Sequence, residues 1–417
     1  MTKEIEVLDS LPGSGKTTAI LKYMAADQSA PWLYLSPMLE QVEERIPREA
    51  VALNFSVTVP NTERHKTKVQ CATEALEAGE NIVCTHELTM HFSKHHIQLI
   101  KEMGYRVVCD EELNMIDGFA IKKVDIDHLT KYELITCDNS DEGRGRLSFN
   151  DPEMSYSAAY GDIKRLCDRG CLYRSKSSDS VMVTYLSPDL ILAADRFILL
   201  TYNFKGTIMD TFLTLHGITN KELHVELYRD NTNVKEELVR LIQFEDTQLV
   251  KKLKERQNWF SLSATWYKNG RNGKERSIKK GVADVGVLEV LRCMQNLPRN
   301  LKVKAGEFFF TMPLDYTDLL TSKNFPESNH VVFNSRATNQ YAEKKYAIHC
   351  TNVFMDQKVN NYLTSWGYKA DEDVYALNTA IQWAFRGCIR ERKPMKLTFM
   401  SKRMDVLFKA WLSSSKT

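Results

Sequence analysis

No apolar run approaches the roughly 18 residues that a membrane-crossing helix needs, and no charged-then-apolar leader opens the chain. Those absences argue against a spanning helix and a secretory route. They predict a soluble, cytoplasmic protein with no membrane partner. Paired cysteine spacing is also scarce. Nine cysteines are scattered, and only Cys167 and Cys171 lie close together. With no second pair to face them, they read as ordinary thiols in a reducing compartment, not as a disulfide framework or a zinc site. His86-Glu87 lacks the second histidine of a zinc protease, because Met90 stands there, and His91 and His95 are one helical turn apart without further ligands. Net charge is only +2, so any affinity for nucleic acid must come from a local patch. There is no solenoid-period repeat and no low-complexity tract. What remains is 417 residues, 43% hydrophobic, enough for two domains.

The most informative stretch is Ser10-Leu11-Pro12-Gly13-Ser14-Gly15-Lys16-Thr17. It follows the extended apolar run Ile5–Leu8 and precedes a helical pattern from Thr18 to Met24. Strand, glycine loop and helix form the setting of a phosphate-binding loop. Gly13 and Gly15 let backbone N–H groups turn toward a phosphate, and the helix N-terminus adds positive dipole. Pro12, Gly13, Ser14, Gly15, Lys16, Thr17 and Thr18 are the candidate nucleotide-binding residues. Lys16 reaches the β- and γ-phosphates, and the Thr17 hydroxyl holds Mg²⁺. Ser10 stands where the pattern has its first glycine.

The first half alternates strand candidates (Ile5–Leu8, Trp32–Leu35, Asn81–Cys84, Arg106–Cys109, Arg196–Thr201) with amphipathic segments such as Met38–Ile46 and Lys68–Ala78. This rhythm predicts an α/β fold with a parallel sheet covered by helices. Residues 119–190 break it, with an acidic, turn-rich Cys137–Glu153 and a helix-like Tyr156–Cys171, and read as an insertion. The second half, from about residue 219, offers β-runs at His224–Tyr228, Phe308–Thr311, His330–Phe333, Tyr346–Cys350 and Lys396–Met400. Helical patterns cover Val234–Arg256, Asp371–Arg390 and Lys402–Trp411. Two α/β domains, 1–218 and 219–417, are expected.

Two further constellations carry chemistry. Arg106-Val107-Val108-Cys109 runs into Asp110-Glu111-Glu112, an apolar strand ending in carboxylates. Beside a phosphate loop, Asp110 sits near Mg²⁺ and Glu111 orients or deprotonates the attacking water. Far downstream, Gln382, Arg386 and Arg390 are spaced at four, which places them on one face of a helix and suits a γ-phosphate presented by another domain.

Together these stretches resemble the superfamily 2 helicases and translocases, in which two RecA-like domains sandwich ATP and ratchet along a nucleic-acid strand. Tyr34–Gln41 looks like motif Ia, with Ser36 and Pro37 at the phosphate backbone. Asn81–Leu88 is similar to motif Ib, with Thr85 and His86 at the strand. Phe197–Asn203 occupies the place of motif III, Phe308–Pro313 that of motif IV, and Ser335–Tyr341 that of motif V, with Arg336, Thr338 and Asn339 as contacts. Gln382, Arg386 and Arg390 fall at motif VI. The resemblance implies two RecA-like domains in tandem, ATP and Mg²⁺ as cofactors, and hydrolysis coupled to movement on single-stranded nucleic acid, DNA ahead of RNA. The compact size and short motifs look like bacteriophage-encoded helicases, which would place the chain in a host cytoplasm and in DNA replication or recombination. The insertion then offers a surface for a replication-protein partner.

Several features depart from the family. Arg390 follows Arg386 by four residues where the pattern has three, motif II reads Asp-Glu-Glu-Leu, and motif III ends in Leu-Thr-Tyr. A literal Ser263-Ala264-Thr265 lies beyond the expected domain boundary. Only nine residues precede the loop, too few for an upstream adenine-reading glutamine motif. Two alternatives stay open: a packaging-type or remodelling NTPase that translocates without separating strands, and a nucleotide-dependent binding module that does not hydrolyse.

Between Lys251 and Lys280 stand ten basic and two acidic residues, interleaved with Trp259, Phe260, Trp266 and Tyr267. Arg271 and Lys274 fall in the glycine-containing cationic stretch Asn269–Lys274, read as a flexible loop, and Lys268 just precedes it; the cations neutralise phosphates while the aromatic rings stack on unpaired bases. Strand affinity is therefore expected to fall steeply with added salt in a fluorescence-anisotropy titration; a nearly flat response counts against this patch as a phosphate groove.

Overall fold

The computed structural model describes residues 2–63, 66–227, 234–256, 261–272, 285–333 and 340–414. Its contacts divide the chain into two compact units. The first comprises Met1–Asp9, Lys16–Glu226 and Met355–Asp371, and the second Ser10–Gly15, Leu227–Phe354 and Glu372–Thr417.

In the first unit the chain lays down β1 (Glu4–Asp9), β2 (Trp32–Ser36), β3 (Ile82–Thr85) and β4 (Arg106–Asp110). It then builds β5 (Ile116–Phe119), β6 (Ile135–Asp138), β7 (Arg146–Phe149), β8 (Leu172–Ser175) and β9 (Ser178–Tyr185), and returns with β10 (Arg196–Thr201) and β11 (Thr219–Glu222). The main sheet is six-stranded, in the order β11-β1-β10-β4-β2-β3, and every pairing is parallel. Strands buried on both faces read as unbroken apolar runs. Phe197-Ile198-Leu199-Leu200 in β10 and Trp32–Leu35 in β2 are such runs, fully buried. The register sets Asp9 beside Thr201, and Leu200 beside Asp110, at the carboxyl edge of the sheet.

The strands β5 to β9 form a separate five-stranded antiparallel sheet, ordered β5-β9-β8-β7-β6. Its core holds Ile126, Leu129, Leu147, Ile163, Cys167, Leu172 and Met182, so Cys167 is a packed thiol. The turn-rich segment expected at Cys137–Glu153 contains β7 and the end of β6, while the helix expected over Tyr156–Cys171 shortens to Gly161–Asp168.

The second unit carries a four-stranded parallel sheet from β12 (Ile242–Phe244), β13 (Phe308–Thr311), β14 (Tyr346–His349) and β15 (Met395–Phe399), ordered β12-β15-β14-β13. Helices Val285–Asn300, Glu372–Ala384 and Lys402–Ser413 accompany it. Tyr267, Met294, Leu297, Phe308, Phe310, Tyr346 and Ile348 are among its buried core residues.

Four expectations change. The long helix over Val234–Arg256 is two helices, Val234–Leu241 and Gln248–Glu255, because Ile242-Gln243-Phe244 pairs with β15 instead. His330–Phe333 is reduced to one bridge between His330 and Phe310. Residues 224–227 do not form a strand, and Tyr228 lies outside the described residues. The boundary at 218/219 falls a strand early, since Thr219–Glu222 hydrogen-bonds along β1. Residues 355–371, expected in the second domain, also join the first unit. There Lys358 Nζ donates to the Phe119 carbonyl at 2.8 Å, and Tyr362 Oη donates to the Arg144 carbonyl at 2.6 Å and receives the Tyr185 hydroxyl at 2.5 Å. Asp356 lies so close to Gly118 that a Cβ there would meet its carboxylate at 2.5 Å.

His349 on β14 is wholly buried between Trp383 and Phe399, and neither ring nitrogen has a hydrogen-bond partner among the described residues. Burial pushes this imidazole down to about 3. Exposed in the unfolded chain, it titrates near 6.5, so from about pH 6.5 down to 3 the unfolded state binds the extra proton and this site lowers stability by ~1.4 kcal/mol per pH unit. His349→Phe should therefore lose ~2 kcal/mol less stability than the parent between pH 7 and pH 5, read by urea unfolding at each pH.

Candidate nucleotide site

The glycine loop leaves the end of β1 and feeds the helix Lys16–Ala26. Gly13 has φ +78° and Gly15 φ +91°, left-handed values that a side chain disfavours. A Cβ on Gly13 would lie 3.2 Å from Arg390 Cγ, so the loop has close packing as well as unusual dihedrals. The Ser14 N–H donates to the Leu11 carbonyl at 3.3 Å. Ser14 itself is 1% exposed, and its hydroxyl has no partner among the described residues. A buried hydroxyl without a partner, in a loop whose two glycines are left-handed, fits an anion that supplies the missing bond.

Across the sheet, Asp110 ends β4 with 8% exposure. The Thr17 hydroxyl donates to Asp110 Oδ2 at 3.3 Å and the Tyr34 hydroxyl donates to the same oxygen at 3.0 Å. Burial raises the Asp110 pKa, while Tyr34, Lys16, Thr17 and Arg45 oppose the rise and favour the carboxylate. A threonine hydroxyl and an aspartate at one point, beside a phosphate loop and its lysine, are the donor set that Mg²⁺ takes in phosphate-loop enzymes. The residues present therefore fit that ion.

Glu111 follows with φ +65°, left-handed for a residue with a Cβ. Its N–H donates to the Leu200 carbonyl at 2.9 Å, which ties the turn to β10. Glu112 accepts the Thr201 hydroxyl at 3.0 Å. Burial raises its carboxyl to about 7 against the hydrogen bonds of Thr201 and Thr207, with Asp9 and Asp210 adding to the rise. Asp9 accepts the backbone N–H groups of Asn203 and Phe204 at 2.6 and 2.8 Å.

Several expected side chains have other work. The Thr18 hydroxyl donates to Glu49 at 3.0 Å, and Glu49 also pairs with Arg45 at 2.8 Å, so Thr18 is directed away from a phosphate role. Ser36 is fully buried; its hydroxyl accepts the Met38 N–H and lies 3.3 Å from Gln41 Oε1, while Pro37 is partly buried. Thr85 caps the short helix His86–Thr89 by accepting the Leu88 N–H, and His86 is buried against Cys109. Ser36 and His86 are thus buried and Thr85 caps a helix, so these side chains are engaged within the first unit. Lys268 is exposed on the helix Ala264–Asn272. The Arg271 side chain and all of Lys274, Arg336, Thr338 and Asn339 lie outside the described residues.

In the second unit the shared helix face of Gln382, Arg386 and Arg390 does not form. The helix Glu372–Ala384 stops before Gly387, and Arg390 falls in a separate 3-10 turn, Cys388–Glu391. The reason is steric. At Gly387 a Cβ would meet Phe309 at 2.7 Å and Met395 Sδ at 2.8 Å, so the chain bends where only glycine passes. Gln382 remains exposed, Arg386 is 5% exposed, and Arg390 is partly buried. Sequence reasoning missed Tyr34, Arg45 and Glu112. The signal was adjacency: Tyr34 pairs with Val108 on the strand that carries Asp110. Among the described residues no group of three or more histidines, cysteines or acidic residues forms a metal cluster, and no helix is long and apolar enough to cross a membrane.

Two parallel sheets flanked by helices in one chain, the first followed at the end of β1 by a glycine loop, give an α/β fold of two RecA-like units in tandem. The structure of S. tokodaii Xpd4 superposes with a TM-score of 0.50, covering 99% of this chain and 94% of that one at 10% identity. An XPD helicase structure is more distant, with a TM-score of 0.39, 11% identity, and coverage of 97% and 94%. Residues 236–412 match the family model of the YonV C-terminal Rossmann-like domain. Over 430 residues the chain is 24% identical to the SPbeta prophage-derived uncharacterized protein YonV of Bacillus subtilis (strain 168), covering 99% of this chain and all of that protein.

Gly13→Ala is expected to weaken binding of a fluorescent ADP about tenfold, because the added Cβ strains the left-handed loop and crowds Arg390. Equilibrium titration checks this beside a melting curve that stays close to the parent's.

Proposed function

We propose that this protein is an ATP-dependent nucleic-acid helicase or single-strand translocase of superfamily 2, built from two RecA-like units. The observation that carries the reading is the convergence of the Thr17 hydroxyl on the buried Asp110 carboxylate at 3.3 Å, next to a left-handed glycine loop with an unsatisfied Ser14 hydroxyl. The helicase fold shared with Xpd4 supports it. Likeness to a prophage-derived relative supports a phage-encoded protein, and the proposed setting is DNA replication or recombination.

In this reading the loop from Pro12 to Gly15 and the Lys16 ammonium bind the nucleotide phosphates. Thr17 and Asp110 hold Mg²⁺, which when bound neutralises charge on the β- and γ-phosphate oxygens. Glu111 orients the attacking water and takes its proton. Gln382 and Arg386, with Arg390, stabilise charge that develops on the transferred phosphoryl oxygens. Glu112 joins the end of β4 to Thr201 at the end of β10, a link between the nucleotide site and the strand-tracking segment. Lys268 and the basic stretch around it grip strand phosphates.

The test is an ATPase assay with single-stranded DNA, duplex DNA and RNA in parallel, beside a strand-displacement assay. The parent should hydrolyse ATP, fastest with single-stranded DNA, and displace a strand. Lys16→Ala and Glu111→Gln should each lose about a hundredfold or more in rate. Hydrolysis by Lys16→Ala at the parent rate overturns the site. Stimulated hydrolysis without displacement replaces the helicase with a translocating NTPase.

A further inference from the structure

Three features stand outside the assigned roles: the cavity of about 590 Å³ beside Lys402 and Arg403, the buried His349 group, and the pair formed by His86 and Cys109. In the first, Arg403 is committed to Asp373, Asn352 and the Val353 carbonyl. The second is enclosed by aromatic rings and titrates far from neutral pH. The third reaches the proposed chemistry through a continuous set of contacts.

Cys109 is wholly buried and immediately precedes Asp110. Its thiol donates to the Glu111 carbonyl at 3.2 Å. The same sulfur lies 3.7 Å from His86 Nε2, and His86 is 6% exposed. A thiol has one proton, so the arrangement that satisfies both contacts has the His86 Nε2–H donating to sulfur while the S–H donates to the carbonyl. Glu111 is thus held from both sides, its N–H on Leu200 and its C=O on Cys109, in a left-handed conformation that a glutamate seldom adopts unaided. His86 opens the short helix after β3, at the segment that resembles a strand-contacting motif.

We propose that Cys109 and His86 are positioning residues that set the backbone of Glu111, and that through them the turn after β3 controls how well Glu111 addresses its water. This rests on the ATPase reading for its consequence, though not for its geometry. Neither residue is among those assigned to hold the nucleotide, so each is expected to act on turnover and not on ATP affinity.

The experiment uses the whole chain with Cys109→Ala, Cys109→Ser, His86→Phe and His86→Gln. Two readouts are taken: oligo-dT-stimulated ATPase, resolved into kcat and KM, and hydrogen exchange of the peptide spanning residues 107–113 without nucleotide. Cys109→Ala and His86→Phe should lower kcat about tenfold to a hundredfold, the cost of a misplaced catalytic group, with KM for ATP changed less than about twofold. Exchange at Glu111 should quicken in both. Cys109→Ser and His86→Gln, which keep a donor, should recover most of the kcat. Parental kcat with unchanged exchange in Cys109→Ala overturns the proposal, as does a loss in Cys109→Ser equal to that in Cys109→Ala, since packing and not the hydrogen bond would then matter. If the parent hydrolyses no ATP, the function falls, while faster exchange in Cys109→Ala still upholds the positioning contact and unchanged exchange removes it.

Discussion

Parallel pairing of β1, β10 and β4 is the constraint on which the candidate site depends. Side-by-side parallel strands bring their carboxyl ends to one edge, so loops remote in sequence become neighbours. Here that edge collects the glycine loop after Asp9, the Asp110-Glu111-Glu112 turn and Thr201. The bond from Thr17 to Asp110 spans 93 positions, and only the shared edge makes it short. The apolar runs of β10 and β2 hold the edge in register from below, and side-chain links such as Glu112 with Thr201 tie it above.

The edge also holds backbone that is costly in isolation. Gly13 and Gly15 are left-handed, and so is Glu111. Glycine accepts that conformation at little steric cost, whereas a glutamate needs neighbours that over-determine it. Leu200 and Cys109 provide them. Beside this backbone lie the buried Ser14 hydroxyl, without a partner among the described residues, and the Asp110 carboxyl, whose pKa burial raises.

The second unit repeats the architecture with a shorter sheet and different punctuation. Gly387 ends the helix that carries Gln382, and the chain behind it curls so that Arg386 and Arg390 leave the helical repeat. Periodicity placed three side chains on one stripe; a close approach of Phe309 and Met395 broke it. In the first unit, the helix Gln357–Ser365 joins the antiparallel sheet by pairing Tyr362 with Tyr185 and Arg144, contacts that span 177 and 218 positions. No local pattern announces such a contact.

The local code therefore determined a good deal. The strands Trp32–Leu35 and Arg196–Thr201, and Ile5–Leu8 interrupted only by Glu6, were legible because buried parallel strands read as apolar runs, and the loop was legible because its left-handed turns favour glycine. The end of β4 at Asp110 was legible because the apolar run Val107-Val108-Cys109 stops at a carboxylate. Tertiary structure alone decided that Tyr34 would share Asp110, that Ser36 and His86 would turn inward, that Ile242–Phe244 would leave a helix to pair with β15, and that residues 355–371 would join the first unit. Those outcomes depend on which surfaces meet across the fold, and the burial energy that selects them is shared among residues far apart in sequence, where no window of neighbours can register it.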